Sequence, residues 1–233
     1  TNITSDGMII KYNSAGTVEW AKGIGGSDSS YDYITSVAEC SDRGIIAGGY
    51  FKSSSIDLGN GISLSSIDFS DGMIIKYSEK GECEWAKRIG GSSRDKINSV
   101  AETSDGGIIA GGYFQSSSFY LGNGKVLNNK SSDTSYSDGM IIKYNAEGEC
   151  EWAKGIGADR DDGISSVAET SNGDIIAGGY FESTTIETDG KTLTNKSSNT
   201  SDSDGMILKI SNKLGVPETQ ELTVENTRKE FKI

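Results

Sequence analysis

The amino-acid sequence predicts an all-β protein in which four short strands recur, because strand-like motifs repeat in a fixed order and no stretch has helical periodicity. The string SDGMIIKY is followed each time by the motifs EWAK, SVAE and GGYF, with a period near 66 residues. It starts at Ser5, Ser70 and Ser137, and it returns as SDGMILKI at Ser203. The chain therefore holds three complete units and the first strand of a fourth, near residues 5–69, 70–136, 137–202 and 203–212.

Each unit is expected to contain four strands, which in the first unit lie near 8–12, 18–25, 34–40 and 44–51. The first strand is the β-branched run GMIIKY, and a glycine-centred turn leads to a second run that alternates between two faces, as in 83–87. The SVAE strand follows, and a Ser-Asp-Gly type of turn then leads into IIAGGYF. Four short strands joined by tight turns form an antiparallel meander, the unit of a β-propeller blade.

An additional hairpin is expected between the fourth strand and the next GMIIKY. Two units carry Leu-Gly-Asn-Gly there, at 58–61 and 121–124. Asn-Gly between strand-like residues indicates a type I′ turn. The sequence therefore predicts a β-ribbon in this insert, followed by a flexible Ser/Asn/Thr tract.

These motifs, in this order, resemble the bacterial β-propeller repeat of the SBBP type over about residues 5–212. The resemblance implies that the SVAE strand lies nearest the propeller axis, the Trp strand lies outermost and GMIIKY lies between them. It also implies a secreted or cell-surface bacterial protein, and it implies no shared activity.

Three units and one strand are fewer than the roughly four blades that a closed propeller needs. The chain could be part of a longer propeller, could combine with a second copy, or could form an open array capped by other chains. The equivalent strands at 5–12 and 203–210 cannot fill one slot of the same closed ring, so one of them must pair outside this chain. We therefore expect self-association through open blade edges, or a disordered end. Residues 213–233 are expected to be a linker and the first strand of a following domain.

The composition excludes several functions. The net charge of −12 and the pI near 4.5 disfavour nucleic acid and anionic membrane surfaces as partners. No apolar run approaches the ~18 residues of a membrane-spanning helix. The chain has no His, which excludes the Ser-His-Asp and Cys-His catalytic arrangements. Cys40, Cys83 and Cys150 exchange with Thr or Val between units and are interpreted as small buried hydrophobes.

Several recurring side chains are expected to have structural roles. The Trp of each unit and the Tyr-Phe pair of each GGYF motif are interpreted as packing between blades. The Asp of each Ser-Asp-Gly is interpreted as a turn former. The Glu that ends each SVAE strand is a candidate for lining the channel. These residues are Trp20, Trp85, Trp152, Tyr50-Phe51, Tyr113-Phe114, Tyr180-Phe181, Asp6, Asp71, Asp138, Asp204, Glu39, Glu102 and Glu169.

The candidate metal ligands are Asp159, Asp161 and Asp162, because their Asp-x-Asp spacing suits a hard cation such as Ca²⁺. This loop lacks the twelve-residue frame and the terminal bidentate Glu of an EF-hand. A solvated acidic loop is therefore the favoured interpretation. No catalytic residue is assigned, and no cofactor is expected other than this candidate Ca²⁺.

The sequence thus favours a non-enzymatic, extracellular module of a bacterial surface, serving adhesion, ligand binding or display, with a protein or a glycan as its ligand. The alternative is a carbohydrate-active enzyme, a glycosidase or lyase with paired carboxylates, which needs no His. Most carboxylates here recur in every unit, whereas a single catalytic site needs a unique pair. This difference favours the binding module.

Overall fold

The computed structural model describes residues 5–28, 30–133, 135–197 and 202–211, and within these residues it contains nineteen β-strands and no helix. The first unit contributes β1 (Gly7–Tyr12), β2 (Val18–Ile24), β3 (Asp32–Glu39), β4 (Ile45–Phe51), β5 (Ile56–Gly59) and β6 (Ile62–Leu64). The second contributes β7 (Asp71–Tyr77), β8 (Cys83–Ile89), β9 (Asp95–Glu102), β10 (Ile108–Phe114), β11 (Ser118–Gly122) and β12 (Lys125–Asn128). The third contributes β13 (Asp138–Tyr144), β14 (Cys150–Ile156), β15 (Asp162–Glu169), β16 (Ile175–Phe181), β17 (Thr185–Thr188) and β18 (Lys191–Thr194), and β19 (Asp204–Ile210) follows.

The predicted strands are confirmed, but their grouping into sheets differs from the predicted meander. The two full sheets have the strand orders β3-β4-β7-β8 and β9-β10-β13-β14, so each combines the last two long strands of one unit with the first two of the next. A two-stranded sheet, β1-β2, precedes them, and a three-stranded sheet, β15-β16-β19, follows. The prediction that one sequence unit forms one meander is wrong, because the chain passes to a new sheet after each Trp strand.

The order of strands within each full sheet agrees with the order that the resemblance implies. The SVAE strands β3, β9 and β15 lie at one side of their sheets, and they bind to one another across the sheet boundaries. Thr35 Oγ1 donates a hydrogen bond to the carbonyl of Ile97 at 2.6 Å, and Asn98 Nδ2 donates one to the carbonyl of Ile164 at 2.8 Å. These three strands are called the inner strands below.

A β-bulge interrupts each inner strand and explains the Gly-Gly pair of its neighbour. In β3 the extra residue is Thr35, which lies between the pairs Ile34–Gly49 and Ser36–Gly48. A Cβ atom added at Gly49 would collide with the carbonyl oxygen of Tyr33. The pair therefore permits a close backbone approach at a bulge.

The core lies between adjacent sheets, and the Trp residues pack there. Trp20 donates its indole N–H to the carbonyl of Glu79 in the next sheet at 3.0 Å, and Trp85 does the same to Ala146 at 3.0 Å. The ring of Trp20 covers Gly81, where a Cβ atom would lie only 2.9 Å from it. The predicted packing of Trp residues between blades is confirmed.

The predicted hairpin in each insert is confirmed. The turn residues Asn60 and Asn123 have φ angles of 56° and 49°, and each is followed by a glycine with positive φ, as a type I′ turn requires. The third unit builds the same hairpin, β17-β18, around Asp189 with φ 47°.

The open end of the array exposes side chains that are buried elsewhere. Met8 and Tyr12 in β1 are 71% and 56% exposed, whereas the equivalent Met73 and Tyr77 in β7 are fully buried. No helix long and apolar enough to cross a membrane occurs in the part of the chain that the structure describes. The linker and strand predicted for 213–233 lie outside the described residues.

Candidate functional site

A pocket of about 380 Å³ opens where the inner strands of the two full sheets begin. We call it the tyrosine pocket. Its lining residues share aromatic or cationic character for the most part, and they are Tyr31, Tyr33, Tyr50, Lys52, Ser70, Arg94, Lys96 and Tyr113. Both full sheets contribute to it, so the pocket exists only when they pack side by side.

The strand register brings the aromatic rings of this pocket together. Tyr33 lies opposite Tyr50 across the β3–β4 pair, with ring centroids 5.2 Å apart. Lys96 lies opposite Tyr113 across the β9–β10 pair, and its Nζ lies 5.0 Å from the centroid of the Tyr50 ring. A cation of the second full sheet therefore contacts a ring of the first.

The bulges of the inner strands lie directly behind these side chains. In β9 the extra residue is Asn98, two positions after Lys96, and in β3 it is Thr35, two positions after Tyr33. A bulge bends its strand and changes the direction of nearby side chains. The bulge residues Thr35 and Asn98 thus connect neighbouring inner strands through their side-chain hydrogen bonds. The same bulges influence the orientation of the nearby residues that line the pocket.

The pocket is cationic although the chain carries a net charge of −12. Lys52, Arg94 and Lys96 line it, and no carboxylate is among its lining residues. Burial raises the pKa of Tyr50 and of Tyr113 above the usual value of 10.0, so both hydroxyls remain protonated at neutral pH and can donate hydrogen bonds. This combination suits an anionic ligand that also has an apolar surface.

The three units differ at this pocket although the strand motifs around it recur in every unit. The position of Tyr33 is Lys96 in the second unit and Gly163 in the third. The position before the inner strand's first Asp is Tyr31, then Arg94, then Asp161, and that of Lys52 is Gln115 and then Glu182. The charge thus changes from positive to negative along the array.

The Tyr-Phe pairs divide between the core and this pocket. Phe51, Phe114 and Phe181 are fully buried, which confirms the predicted packing. Tyr50 and Tyr113 are only half-buried: Tyr50 contacts Lys96 of the next sheet, and both residues also line the tyrosine pocket. Alternation along a strand explains the split, because successive side chains point to opposite faces.

The candidate metal ligands of the acidic loop do not converge. The Asp161 carboxylate accepts two hydrogen bonds from Ser137, from its N–H and its hydroxyl, each at 2.8 Å. Asp162 is fully buried and accepts a hydrogen bond from the Ser183 hydroxyl at 2.7 Å, and the Asp159 N–H donates to the same hydroxyl at 3.1 Å. Among the described residues, no group of three or more His, Cys, Asp or Glu side chains could hold a metal ion.

The Asp residues of the Ser-Asp-Gly motifs are more than turn formers. Asp71 and Asp138 open strands β7 and β13 and are fully buried. Each faces the Asp that opens the next inner strand, Asp95 or Asp162. Burial raises the pKa of Asp71 and of Asp138 to about 6. A motif of this length gives no signal of such a pairing, because the two carboxylates come from different sheets.

The Glu residues that end the inner strands bind the neighbouring sheet. The Glu102 carboxylate accepts hydrogen bonds from the Ser41 N–H at 2.8 and 2.9 Å, and Glu169 accepts one from the Ser104 N–H at 2.7 Å. The structure thus places Glu102 and Glu169 in contacts between sheets, whereas the sequence analysis considered them as residues that line the channel.

The cysteines are buried, as predicted. None of Cys40, Cys83 and Cys150 is in a disulfide, and burial raises the pKa of each thiol to about 11. A thiol with so high a pKa is a poor nucleophile at neutral pH. The structure therefore gives these residues a packing role.

Comparison with known proteins supports the fold more than any activity. No protein-family model matches the chain. In an alignment of 215 residues that covers 79% of this chain, it is 27% identical to an uncharacterised WD repeat-containing protein of Acanthamoeba polyphaga mimivirus, L264. It is 28% identical over 114 residues, 49% of its length, to the regulatory protein FlaEY of Caulobacter vibrioides. The chain spans only 15% and 12% of the lengths of these two relatives.

Two solved structures overlap with much of the chain at low similarity. A protein of unknown function from Bacteroides caccae has a TM-score of 0.37 and 10% identity, over 85% of this chain and 59% of its own. The Pan2 WD40 domain of Neurospora crassa has a TM-score of 0.26 and 12% identity, over 76% of this chain and 62% of its own. Scores this low add nothing to the sheet order.

Repeated four-stranded antiparallel sheets, with their inner strands in contact, and a WD repeat-containing relative agree on one architecture. The chain is a β-propeller repeat protein.

Proposed function

We propose that this chain is a non-enzymatic binding module and that its tyrosine pocket holds an acidic segment of another protein. The observation that carries the proposal is the position of the differences between units. Tyr33 and Lys96 occupy one repeat position, as do Tyr31 and Arg94, and all four line the pocket. Packing would be served equally well by identical residues.

The chemistry of the pocket favours a protein ligand with negative charge. Tyr and Arg are enriched at the centres of protein interfaces, where their large surfaces and polar tips both find partners. The cations Lys52, Arg94 and Lys96 would pair with carboxylates, and the tyrosine hydroxyls would donate hydrogen bonds to them. An anionic glycan also carries negative charge, so the experiment must distinguish it from an acidic protein segment.

The alternative, a carbohydrate-active enzyme, has less support. Such an enzyme needs a carboxylate pair that a sugar can reach. Asp138 and Asp162 form a pair, but both are fully buried. They also have equivalents in Asp71 and Asp95, so they do not form the unique site that catalysis needs.

The test is fluorescence anisotropy of the full chain with three labelled probes: an Asp/Glu-rich peptide, its Asn/Gln analogue and an oligouronate. We expect the acidic peptide to bind, the amide analogue to bind at least roughly tenfold more weakly, and added NaCl to weaken binding. Tighter binding of the oligouronate than of the acidic peptide would indicate that the ligand is a glycan and not a protein. Equal binding of all three probes would exclude the charge argument.

The third unit supplies the matched variant. Arg94→Asp introduces the residue that the same fold carries at Asp161, so the variant is expected to fold and to lose roughly tenfold in affinity. Lys80→Asp makes the same change of charge on an exposed turn away from the pocket and is the control. Equal loss in both variants would show that net charge, and not the pocket, governs binding.

We also propose an extracellular location on a bacterial surface, which rests on the resemblance to SBBP-type repeats. Protease treatment of intact cells of the source organism should remove the protein if this is right. Its survival in intact cells, with digestion only after lysis, would place it inside.

The exposed face of β1 supports a proposal about assembly. We propose that a further propeller sheet, from the same polypeptide or from a second copy, covers Met8, Ile10 and Tyr12. Light scattering on the 233-residue chain, with hydrogen exchange on β1 and β19, tests this. A strict monomer with both strands strongly protected would contradict it.

A further inference from the structure

Neighbouring sheets meet at a pair of buried aspartates. Between the two full sheets the pair is Asp71 and Asp95. Between the second full sheet and the three-stranded sheet it is Asp138 and Asp162, and all four side chains are fully buried. At the second pair, Asp138 Oδ1 and Asp162 Oδ2 both lie within 2.8 Å of the point that a Cβ atom on Gly157 would occupy. The two carboxylate oxygens thus converge on one small region.

The first pair has a cation beside it. Arg88 Nη1 lies 3.2 Å from Asp71 Oδ1 and donates a hydrogen bond to the carbonyl of Gly90 at 3.0 Å. The guanidinium therefore pairs with the open carboxylate oxygen and one backbone carbonyl of that junction.

The second pair lacks this cation. The repeat position of Arg88 is Gly155, and that of Gly90 is Gly157. Asp138 Oδ1 is buried and has no hydrogen-bond partner among the described residues. A buried carboxylate oxygen without a donor or a cation is strongly unfavourable.

The remaining oxygens of this pair are hydrogen-bonded. Asp138 Oδ2 accepts the Lys130 N–H at 2.8 Å, and Asp162 Oδ2 accepts the Ala158 N–H at 3.0 Å and the Ser183 hydroxyl at 2.7 Å. Asp138 Oδ1 is therefore the acceptor that needs a partner. Both side chains are fully buried, so solvent does not screen the charge that the two carboxylates carry when ionised.

We propose that this junction binds one hard cation, with Ca²⁺ as the best match, at the place that the Arg88 guanidinium takes at the other junction. Asp138 Oδ1 is the principal ligand, and Asp162 and the carbonyl of Gly157 are the other ligands that the protein provides. Two carboxylates and a carbonyl are oxygen ligands, which Ca²⁺ accepts in flexible geometry, whereas Mg²⁺ keeps several waters and fits a buried site poorly. The site is distinct from an Asp159–Asp161 loop site.

The two junctions supply a pair of matched variants, because each variant introduces the residue that the other junction carries. Gly155→Arg transfers the guanidinium to the proposed site, and a Cβ atom fits there because its nearest neighbour would be Phe114 at 3.7 Å. Arg88→Gly removes the guanidinium from the first junction and should create a second cation site. Asp138→Asn removes the principal ligand with little change in volume.

The experiment is calorimetric titration and thermal unfolding of the full chain after EGTA treatment, with CaCl₂, MgCl₂ and NaCl at equal ionic strength. We expect Ca²⁺ to bind the wild-type chain and to raise its melting temperature by several degrees. Gly155→Arg and Asp138→Asn should lose both effects, and Arg88→Gly should bind additional Ca²⁺. Circular dichroism shows whether each variant is folded.

Three results would overturn the proposal. Absence of Ca²⁺ binding by the wild-type chain would mean that the junction holds only a proton. Equal Ca²⁺ binding by wild type, Gly155→Arg and Asp138→Asn would place the ion elsewhere, and Asp159→Asn with Asp161→Asn would then test the loop. Binding of Na⁺ but not Ca²⁺ would show a monovalent site and exclude the divalent cation.

Discussion

The two ends of the inner strands β3, β9 and β15 differ in what they keep constant between units. At the end where these strands finish, the contacts repeat from one sheet to the next. A Glu of each following inner strand binds the preceding turn, and a buried Lys of GMIIKY pairs with an Asp of the turn. These pairs are Glu102–Ser41, Glu169–Ser104, Lys76–Asp42 and Lys143–Asp105.

Even a sequence change at this end preserves the contact. The third unit has Asn172 where the others have Asp42 and Asp105. Its Lys209 pairs instead with Asp174, two residues further along the same turn, at 2.7 Å. The ion pair is kept although the residue that supplies the carboxylate has moved.

At the end where the inner strands begin, the buried contacts of Asp32, Asp95 and Asp162 with a Ser hydroxyl also repeat, but the positions that line the pocket do not. Tyr33, Lys96 and Gly163 share one position and form different contacts. The comparison teaches that repeats with the same strand motifs separate two roles within one chain. Contacts that repeat hold the sheets together, and positions that vary on the same scaffold are available for a ligand.

The largest expected effect distinguishes two consecutive residues. Phe114 is fully buried, and its ring packs edge-to-face against Phe119 with centroids 5.3 Å apart. Phe114→Ala should lower the free energy of unfolding by about 3–5 kcal/mol in chemical denaturation, because it leaves a cavity between sheets. Tyr113→Ala, the matched control in the pocket, should cost under about 2 kcal/mol. Equal costs would make Tyr113 a core residue and remove it from the pocket.

Local motifs account for the parts of the fold that the sequence predicts. The strands, the Asn60-Gly61 turn and the Trp20 packing each depend on neighbouring residues or on exact recurrence. The sheet grouping does not, because the loop between β2 and β3 resembles a hairpin turn although it crosses to another sheet.

Sequence motifs do not predict the tyrosine pocket either, because its residues come from two different sheets. Tyr50 and Lys96 come from different sheets, and their contact needs the packing of both. A signal did exist in the sequence, since Tyr33, Lys96 and Gly163 differ although an Asp precedes and an Ile follows this position in every unit. The pairing of Asp138 with Asp162 left no such signal, because both recur in every unit.

The second-largest effect on stability is expected for a contact between sheets near the end where the inner strands finish. Trp85→Ala should cost about 3 kcal/mol, because it removes a ring that is packed over Gly148 and the hydrogen bond to Ala146. Trp85→Phe keeps most of the packing and should cost about 1 kcal/mol. Ligand affinity, measured at a temperature where each variant is folded, should not change. Lost affinity with unchanged melting would make the ring part of a binding site.

A smaller effect depends on pH. Burial opposes ionisation of Asp105, but hydrogen bonds from Thr103 and from Lys143 outweigh it and lower the pKa of Asp105 to about 2. A carboxyl with a lowered pKa contributes stability above its usual pKa of 3.8, and this is lost as the pH falls toward 2. Because the side chain is 52% exposed, Asp105→Asn should cost only about 1 kcal/mol at pH 7.

The measurement is urea unfolding of wild type and Asp105→Asn across this pH range. The difference between the two chains should shrink as the pH falls below 4 and should vanish near 2. Glu147→Gln, an exposed carboxylate in a turn, is the control and should show no such convergence. A difference that stays constant with pH would mean that the ion pair with Lys143 contributes nothing.

The smallest effect on stability is expected for an exchange at the variable end. The double variant Tyr33→Lys with Lys96→Tyr keeps the composition and the net charge, and each position already accepts the other residue in a neighbouring unit. The free energy of unfolding should change by less than about 0.5 kcal/mol. Affinity for the acidic peptide should still fall several-fold, because Lys96 lies over the Tyr50 ring and opposite Tyr113, whereas a cation at position 33 has only the β3 side of the pocket. A large loss of stability would show that the two exchanged positions also hold the sheets together. Unchanged affinity would show that the position of the charge is irrelevant to the ligand.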